Sequence, residues 1–375
     1  MKWMMRIYVV LFIALLAVGG ALVLILPQHD FSENENRVLE EVQAPSLESC
    51  FSGDFQKSFE TAVSDQFPLR DMWTGISSGI RSLMGIHDAG GVYLGSDHYY
   101  FEKKLNKDVP VSQYNKNIGI LKRFMGEHPN TRVMLVPSPA SILTDQLPRC
   151  APLYDMEAMF ATAKQTLGEA FIDVRSALQE AAARTQVFYR TDHHWTTKGA
   201  YAAYRVYGEK TGVTSGTDSG MDSFSAVTDA FYGTTYSKAL TWNAVPDTIE
   251  QLEGNFPPDM KVTINGNTPG AVYVPEKLNT KDKYAYFFGG NYADVTIDNP
   301  STDNSDRELV IFKDSFANSF VPLLIRSYKK ITMVDLRYET RPIRAVMEEH
   351  PDAECLVLYE ISNFATSSEV ARMGM

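Results

Sequence analysis

Six short apolar runs, most of them separated by segments of helical period, constrain this chain more than any other feature of its 375 residues. They are Arg132-Val133-Met134-Leu135-Val136-Pro137, Ala170-Phe171-Ile172-Asp173, Gln186-Val187-Phe188-Tyr189, Glu308-Leu309-Val310-Ile311-Phe312, Lys330-Ile331-Thr332-Met333-Val334 and Glu354-Cys355-Leu356-Val357-Leu358. Short uninterrupted apolar runs suit strands buried on both faces. Strands alternating with helices predict an α/β fold of three layers, α/β/α, around a mostly parallel sheet. Its polar chemistry should gather at the strand C-terminal edge.

A different signal stands at the start. Ile7 to Leu26 carries no charge over 20 residues, the length of one membrane-spanning helix. Lys2 and Arg6 precede it, whereas Asp30, Glu33 and Glu35 follow it, so the positive-inside rule keeps the start in the cytoplasm and exports the rest. The competing expectation is a signal peptide cleaved near Ala17-Val18-Gly19. The organisation predicted is an anchor over residues 1–30, an acidic juxtamembrane linker over 31–52, and an α/β domain over 53–375. Within that domain Asp54 to Met84 has helical period broken at Pro68, and Gly91 to Gly95 with Tyr99 to Phe101 suits a hairpin. Residues 214–306 turn to Gly, Ser, Thr, Asn and aromatics, which predicts a β-rich insertion beside the sheet.

The formal net charge of −11 argues against nucleic acid, whose phosphates need clustered Lys and Arg. Cys50, Cys150 and Cys355 have no metal-type spacing. Cys355 lies in an apolar run, which leaves Cys50 with Cys150 as the one pair that could bridge.

Two segments could carry chemistry. Tyr189-Arg190-Thr191-Asp192-His193-His194-Trp195-Thr196 lies between a strand and a helix, where His194 could act as a base and Asp192 could orient its ring. The alternative is that Asp192 caps the helix, His193 and His194 are satisfied surface groups and Trp195 packs in the core. In Leu309 to Phe320 an apolar strand runs into Asp314-Ser315 and then a helix, the kind of turn that presents a nucleophilic serine. An Asp-Ser pair is also an ordinary helix cap.

Asp192-His193-His194-Trp195, Lys313-Asp314-Ser315-Phe316 and Val334-Asp335-Leu336-Arg337-Tyr338 resemble the bacterial DHHW family, which is related to SGNH-hydrolase-like proteins of alginate acetylation. Glu35-Asn36-Arg37-Val38-Leu39, Ser64 to Arg70 and Val133 to Ser138 resemble further landmarks, so the likeness covers most of the chain. It implies a flavodoxin-like SGNH sheet with Ser315 as nucleophile, His194 as base and Asp192 as its partner, and no cofactor or metal. The order is permuted relative to ordinary SGNH hydrolases, because Asp192 and His194 precede Ser315. The Ser315 N–H, Gly290 and Asn291 are the candidate oxyanion donors, with a hairpin turn as the other role for the latter two. Arg337 could orient an acyl or sugar group, or form a structural ion pair.

By resemblance the function implied is O-acetyl transfer to, or removal from, a cell-envelope or exported polysaccharide. The acetyl donor would come from a membrane-bound O-acyltransferase partner. Two other readings compete. One is a non-catalytic glycan-binding subunit using Tyr232, Tyr236, Trp242, Tyr284, Tyr286 and Tyr292; the other is a metal-dependent phosphoesterase built on Asp192-His193-His194.

Overall fold

The computed structural model describes residues 2–32, 37–213, 223–254, 256–301 and 306–374. Glu33, Glu35 and Asn36 fall outside the described residues, as do residues 214–222, 255 and 302–305 of the expected insertion. The chain forms two compact units, Met1–Gly90 with Tyr236–Ala244, and Gly91–Thr235 with Val245–Met375.

The first unit is helical. Its long apolar helix α1 spans Lys2–Ile25. Helices α2 (Asp54–Asp65) and α3 (Arg70–Leu83) flank Pro68, which has no N–H to continue a helix. The stretch expected as a linker contains a short helix, Leu47–Ser52, closed by a capping box between Ser46 and Ser49. Asp65 ties the unit together, accepting from Arg37 Nη1 at 2.9 Å and the Glu40 N–H at 3.0 Å.

The second unit is built on a seven-stranded sheet. In chain order its strands are β1 (Thr131–Val136), β2 (Lys261–Ile264), β3 (Thr268–Pro269), β4 (Asp294–Asp298), β5 (Glu308–Lys313), β6 (Lys330–Val334) and β7 (Glu354–Glu360). Their order across the sheet is β3-β2-β4-β6-β5-β7-β1. Successive side chains of a strand point to opposite faces. Val310 and Phe312 accordingly join one core cluster with Tyr114, Ile118, Leu121 and Phe124 of helix α4 (Val111–Glu127). Leu309 and Ile311 join another with Ala200, Ala203 and Tyr207 of helix α5 (Thr197–Thr211). Both faces of the sheet are therefore covered by helices.

The sheet is mixed rather than mostly parallel. β6-β5, β5-β7 and β7-β1 pair parallel, but β3-β2, β2-β4 and β4-β6 pair antiparallel. The antiparallel half comes from the segment expected to lie beside the sheet, which instead supplies β2, β3 and β4. β2 and β3 are joined by a tight three-residue loop, in which Asn265 and Gly266 have φ of 49° and 81°, left-handed values that Asn and Gly adopt most readily.

Three further expected strands resolve differently. Gln186 to Tyr189 makes one bridge, Phe188 to Trp195, and Ala170 to Asp173 one bridge, Phe171 to Val133. Tyr284 to Phe288 lies in and after a 3-10 turn, Lys283–Tyr286. Cys50, Cys150 and Cys355 are all free, so the Cys50–Cys150 bridge is not formed.

Candidate active site

The parallel strand β5 ends at Lys313, and the chain turns through Asp314-Ser315-Phe316 into the helix Ala317–Phe320. Between Leu309 and Ile325 every residue is buried except Ser315, so the turn presents this one side chain at the surface. Asp314 holds the turn: its Oδ1 accepts from the Phe316 N–H at 3.0 Å, and its Oδ2 from the Glu360 N–H and Asn363 Nδ2, both at 2.9 Å. Burial pushes its carboxyl above the usual range, and these bonds oppose that.

The histidine loop is fixed from both ends. Trp195 is wholly buried, and its Nε1 donates to the Phe316 carbonyl at 3.0 Å, tying the loop to the serine turn. Thr196 caps α5, accepting from the Gly199 N–H at 3.1 Å. Asp247 closes the other side. Its Oδ2 accepts from the Thr191 N–H and hydroxyl at 2.8 and 2.6 Å, and its Oδ1 from the Arg190 N–H at 2.9 Å.

Between these anchors lies a continuous hydrogen-bonded chain. His194 Nε2 is 2.7 Å from Ser315 Oγ, and His194 Nδ1 is 2.5 Å from Asp192 Oδ1. Asp192 Oδ2 accepts from the Thr234 N–H at 2.8 Å and the Thr234 hydroxyl at 2.9 Å. Burial disfavours the charged carboxylate, but the neighbouring imidazoles and the bonds from His194 and Thr234 outweigh it, and hold Asp192 well below the ordinary range. An ionised carboxylate only accepts, so the proton sits on His194 Nδ1, leaving Nε2 to accept from the Ser315 hydroxyl.

Other rings pack on this imidazole. Tyr284 stacks on it with centroids 3.8 Å apart and planes 9° apart, and donates its hydroxyl proton to the Ser315 carbonyl at 3.2 Å or shares it with Ser319 Oγ at 3.0 Å. His193 packs at 3.9 Å, and its Nδ1 is 2.6 Å from Thr234 Oγ1. Thr234 spends its one hydroxyl proton on Asp192, so His193 Nδ1 is the donor in that pair. Burial, then the neighbouring His194 imidazole, lowers the His193 pKa. His193 also lines a narrow pocket with Lys104, Ser138, Tyr154 and Glu360.

The remaining predicted residues fall into a second network. Gly289 and Gly290 have φ of 83° and 134°, a turn that suits glycine. Next to them Asn291 Oδ1 accepts from Lys313 Nζ at 2.9 Å and Asn318 Nδ2 at 3.2 Å. Lys313 Nζ also donates to Asn318 Oδ1 at 2.9 Å and lies 3.7 Å from Asp335. Burial lowers Lys313 to about 8, against the pull of Asp335. Arg337 grips Asp335 through Nε at 2.9 Å and Nη2 at 2.6 Å, which is the ion-pair alternative.

Among the described residues, Asp192, His193 and His194 form the one group with metal-ligand spacing. Both His194 nitrogens and both Asp192 oxygens already have partners, so a cation bound there would have to break the chain to Ser315. A two-metal site needs further acids beside these three. The aromatics expected to stack on sugar are also partly spent, since Tyr284 and Tyr286 are buried, the latter against Tyr273.

A serine, a histidine and an ionised aspartate in series, on the C-terminal edge of an α/β sheet, form the arrangement used by serine-nucleophile enzymes. Residues 144–334, just over half of the chain, match the DHHW protein family, and the protein belongs to that family. It is similar to the probable alginate O-acetylase AlgJ of Pseudomonas putida, 27% identical over 182 residues that cover 46% of this chain and 47% of that protein. The AlgJ of Pseudomonas syringae is 26% identical over 171 residues, 43% of each. The match thus spans about half the length of these relatives. In fold the chain is similar to a DHHW family protein from Eubacterium siraeum, with a TM-score of 0.61 at 19% identity over 76% of this chain and 95% of that one. It is similar also to Bacillus cereus PatB1 bearing a sulfonyl adduct, with a TM-score of 0.58 at 19% identity over 74% and 98%.

Proposed function

We propose that the protein is an SGNH-type serine O-acyltransferase or acylesterase, anchored in the cell membrane by α1 with its bulk outside. It moves acetyl groups on or off a cell-envelope or exported polysaccharide. The observation that carries this reading is His194, bonded at once to Ser315 Oγ at 2.7 Å and Asp192 Oδ1 at 2.5 Å. Membership of the DHHW family and similarity to alginate O-acetylases support the acetyl and polysaccharide parts. The apolar stretch Trp3–Val23, with a mean hydropathy of 2.4, supports the anchor.

In this mechanism Ser315 Oγ attacks the acyl carbonyl carbon while its proton passes to His194 Nε2. The carbonyl oxygen takes up negative charge, stabilised by the Ser315 N–H with Gly290 and Asn291 as candidate further donors. Asp192 stabilises the imidazolium. His194 then gives the proton to the departing oxygen, leaving an acyl-enzyme. In the second half His194 takes a proton from a sugar hydroxyl, or from water, whose oxygen attacks the acyl carbon, and His194 Nε2 returns that proton to Ser315 Oγ as the acyl–Ser315 bond breaks. A membrane-bound O-acyltransferase partner supplies the acetyl group, as the family resemblance implies.

The test is release of p-nitrophenol from its acetate ester by the detergent-solubilised chain. Ser315→Ala and His194→Ala should abolish the enzymatic rate. Unchanged turnover in both would sink the reading.

A further inference from the structure

Helix α3 is inside out for a water-soluble unit. Its buried residues are Gly75 and Ser78, and Ser78 Oγ donates to the Ala239 carbonyl at 3.0 Å. On the opposite side Met72, Trp73, Ile76, Ile80 and Leu83 are exposed, Leu83 to 90%. At about 100° per residue these five share one face roughly 100° wide, the stripe an amphipathic helix normally buries. Trp242, 80% exposed, lies beside Gly79 of the same helix.

What covers that face follows from where α1 meets the unit. Gly19 and Val23 of α1 are buried. A Cβ at Gly19 would lie 2.9 Å from the Phe67 ring, so the α1 backbone runs against the corner between α2 and α3. The next residues beyond α1 are held there too, as the His29 N–H donates to Gln66 Oε1 at 2.9 Å and Gln66 Nε2 to the His29 carbonyl at 3.0 Å. Gly19 is six residues before Ile25, the end of α1, which places Phe67 about 9 Å back along the helix. The helix is about 36 Å long against a hydrocarbon core of about 30 Å, so about 3 Å projects at each end. Phe67 then lies roughly 6 Å inside the hydrocarbon boundary, the depth of interfacial helices.

We propose that α3 lies on the outer surface of the bilayer, its Met72, Trp73, Ile76, Ile80 and Leu83 face seated among the lipids with Trp242 beside it. This rests on the reading of α1 as a membrane anchor. The helix forms a second membrane contact, and Trp73 and Trp242 supply the aromatic groups favoured at that level.

The test uses the full chain in phosphatidylcholine vesicles with and without lipid brominated near the headgroup end of its chains. Trp3→Phe removes the tryptophan of α1, and Trp195 is buried within the protein. Brominated lipid should quench the emission of this variant, and adding Trp73→Phe and Trp242→Phe should remove most of the quenching. Ile76→Glu with Ile80→Glu, both at exposed positions, should also lower it. Carbonate extraction of the same vesicles reports on α1 separately. Retention without quenching of Trp73 and Trp242 overturns the proposal and leaves the anchor standing. Quenching before extraction, with release by carbonate, supports the surface helix and removes the anchor. No quenching together with release sinks both. Loss of quenching through pairing of two copies, detected as a doubled mass in detergent, also overturns it.

Discussion

The Tyr284 ring lies flat on the imidazole of His194, 3.8 Å away and 9° from parallel, while its hydroxyl reaches the Ser315 carbonyl. One buried residue thus touches both members of the Ser-His pair. Tyr284→Phe keeps the platform and loses the hydroxyl, so it should reduce kcat modestly. Tyr284→Ala lets the imidazole tilt, and a shift of about 1 Å is worth on the order of a hundredfold in rate. Ester-hydrolysis kinetics beside a thermal melt separate the two variants, and equal rates in both would remove the positioning role.

Asp192→Asn keeps the shape and removes the charge that fixes the Nδ1–H tautomer. In the proposed mechanism kcat should fall by about 10²–10⁴-fold. Stability should respond as well. The Asp192 carboxyl is held below its unfolded range, so its contribution is present above the ordinary carboxylate pKa of 3.8 and is lost as pH falls below it. Unfolding free energies of the wild type and Asp192→Asn, from denaturant melts at a series of pH values, should therefore draw together as pH falls below the ordinary carboxylate range.

Gly233→Ala probes the second layer of the site. A Cβ there would collide with the Asp192 side chain, so the carboxylate must move. Turnover should drop more than the melting temperature does. A variant with full activity would show that the loop yields without disturbing Asp192.

Lys313 gives a stability prediction with a definite sign. Its pKa is lowered from 10.5 to about 8, so between these values the unfolded chain holds a proton that the folded chain has released. Stability should rise with pH across that window, by about 3 kcal/mol if nothing else titrates. Denaturant melts at pH 8 and pH 10 should show the rise in the wild type and lose it in Lys313→Met. Equal slopes would reassign it to another group.

Much of the parallel half of the sheet is visible in the sequence, because β1, β5, β6 and β7 are apolar on both faces and that pattern is local. Asp192, His194 and Ser315 stand out for a similar reason: each occupies a polar turn directly after an apolar run, or between one and a helix. Tyr284 stands out only as one of several aromatics that could stack on a sugar, not as the partner of His194. An aromatic among aromatics is ordinary, and its contact with His194 spans 90 residues of chain. Asp247, Thr234 and Asn318 are equally silent, since they act through hydrogen bonds across long separations, to Thr191, Asp192 and Asn291.

The amino-acid sequence by itself determined which segments could be buried strands and which turns carried a serine, a histidine and an aspartate, because hydrophobic period and turn chemistry act over a few residues. Only the tertiary structure decided that β2 to β4 extend the sheet antiparallel, that 121 residues of separation close to 2.7 Å between Ser315 and His194, and that α3 turns its apolar face outward. Those outcomes depend on which surfaces meet. A pattern along one chain records how apolar each surface is, but not what it faces.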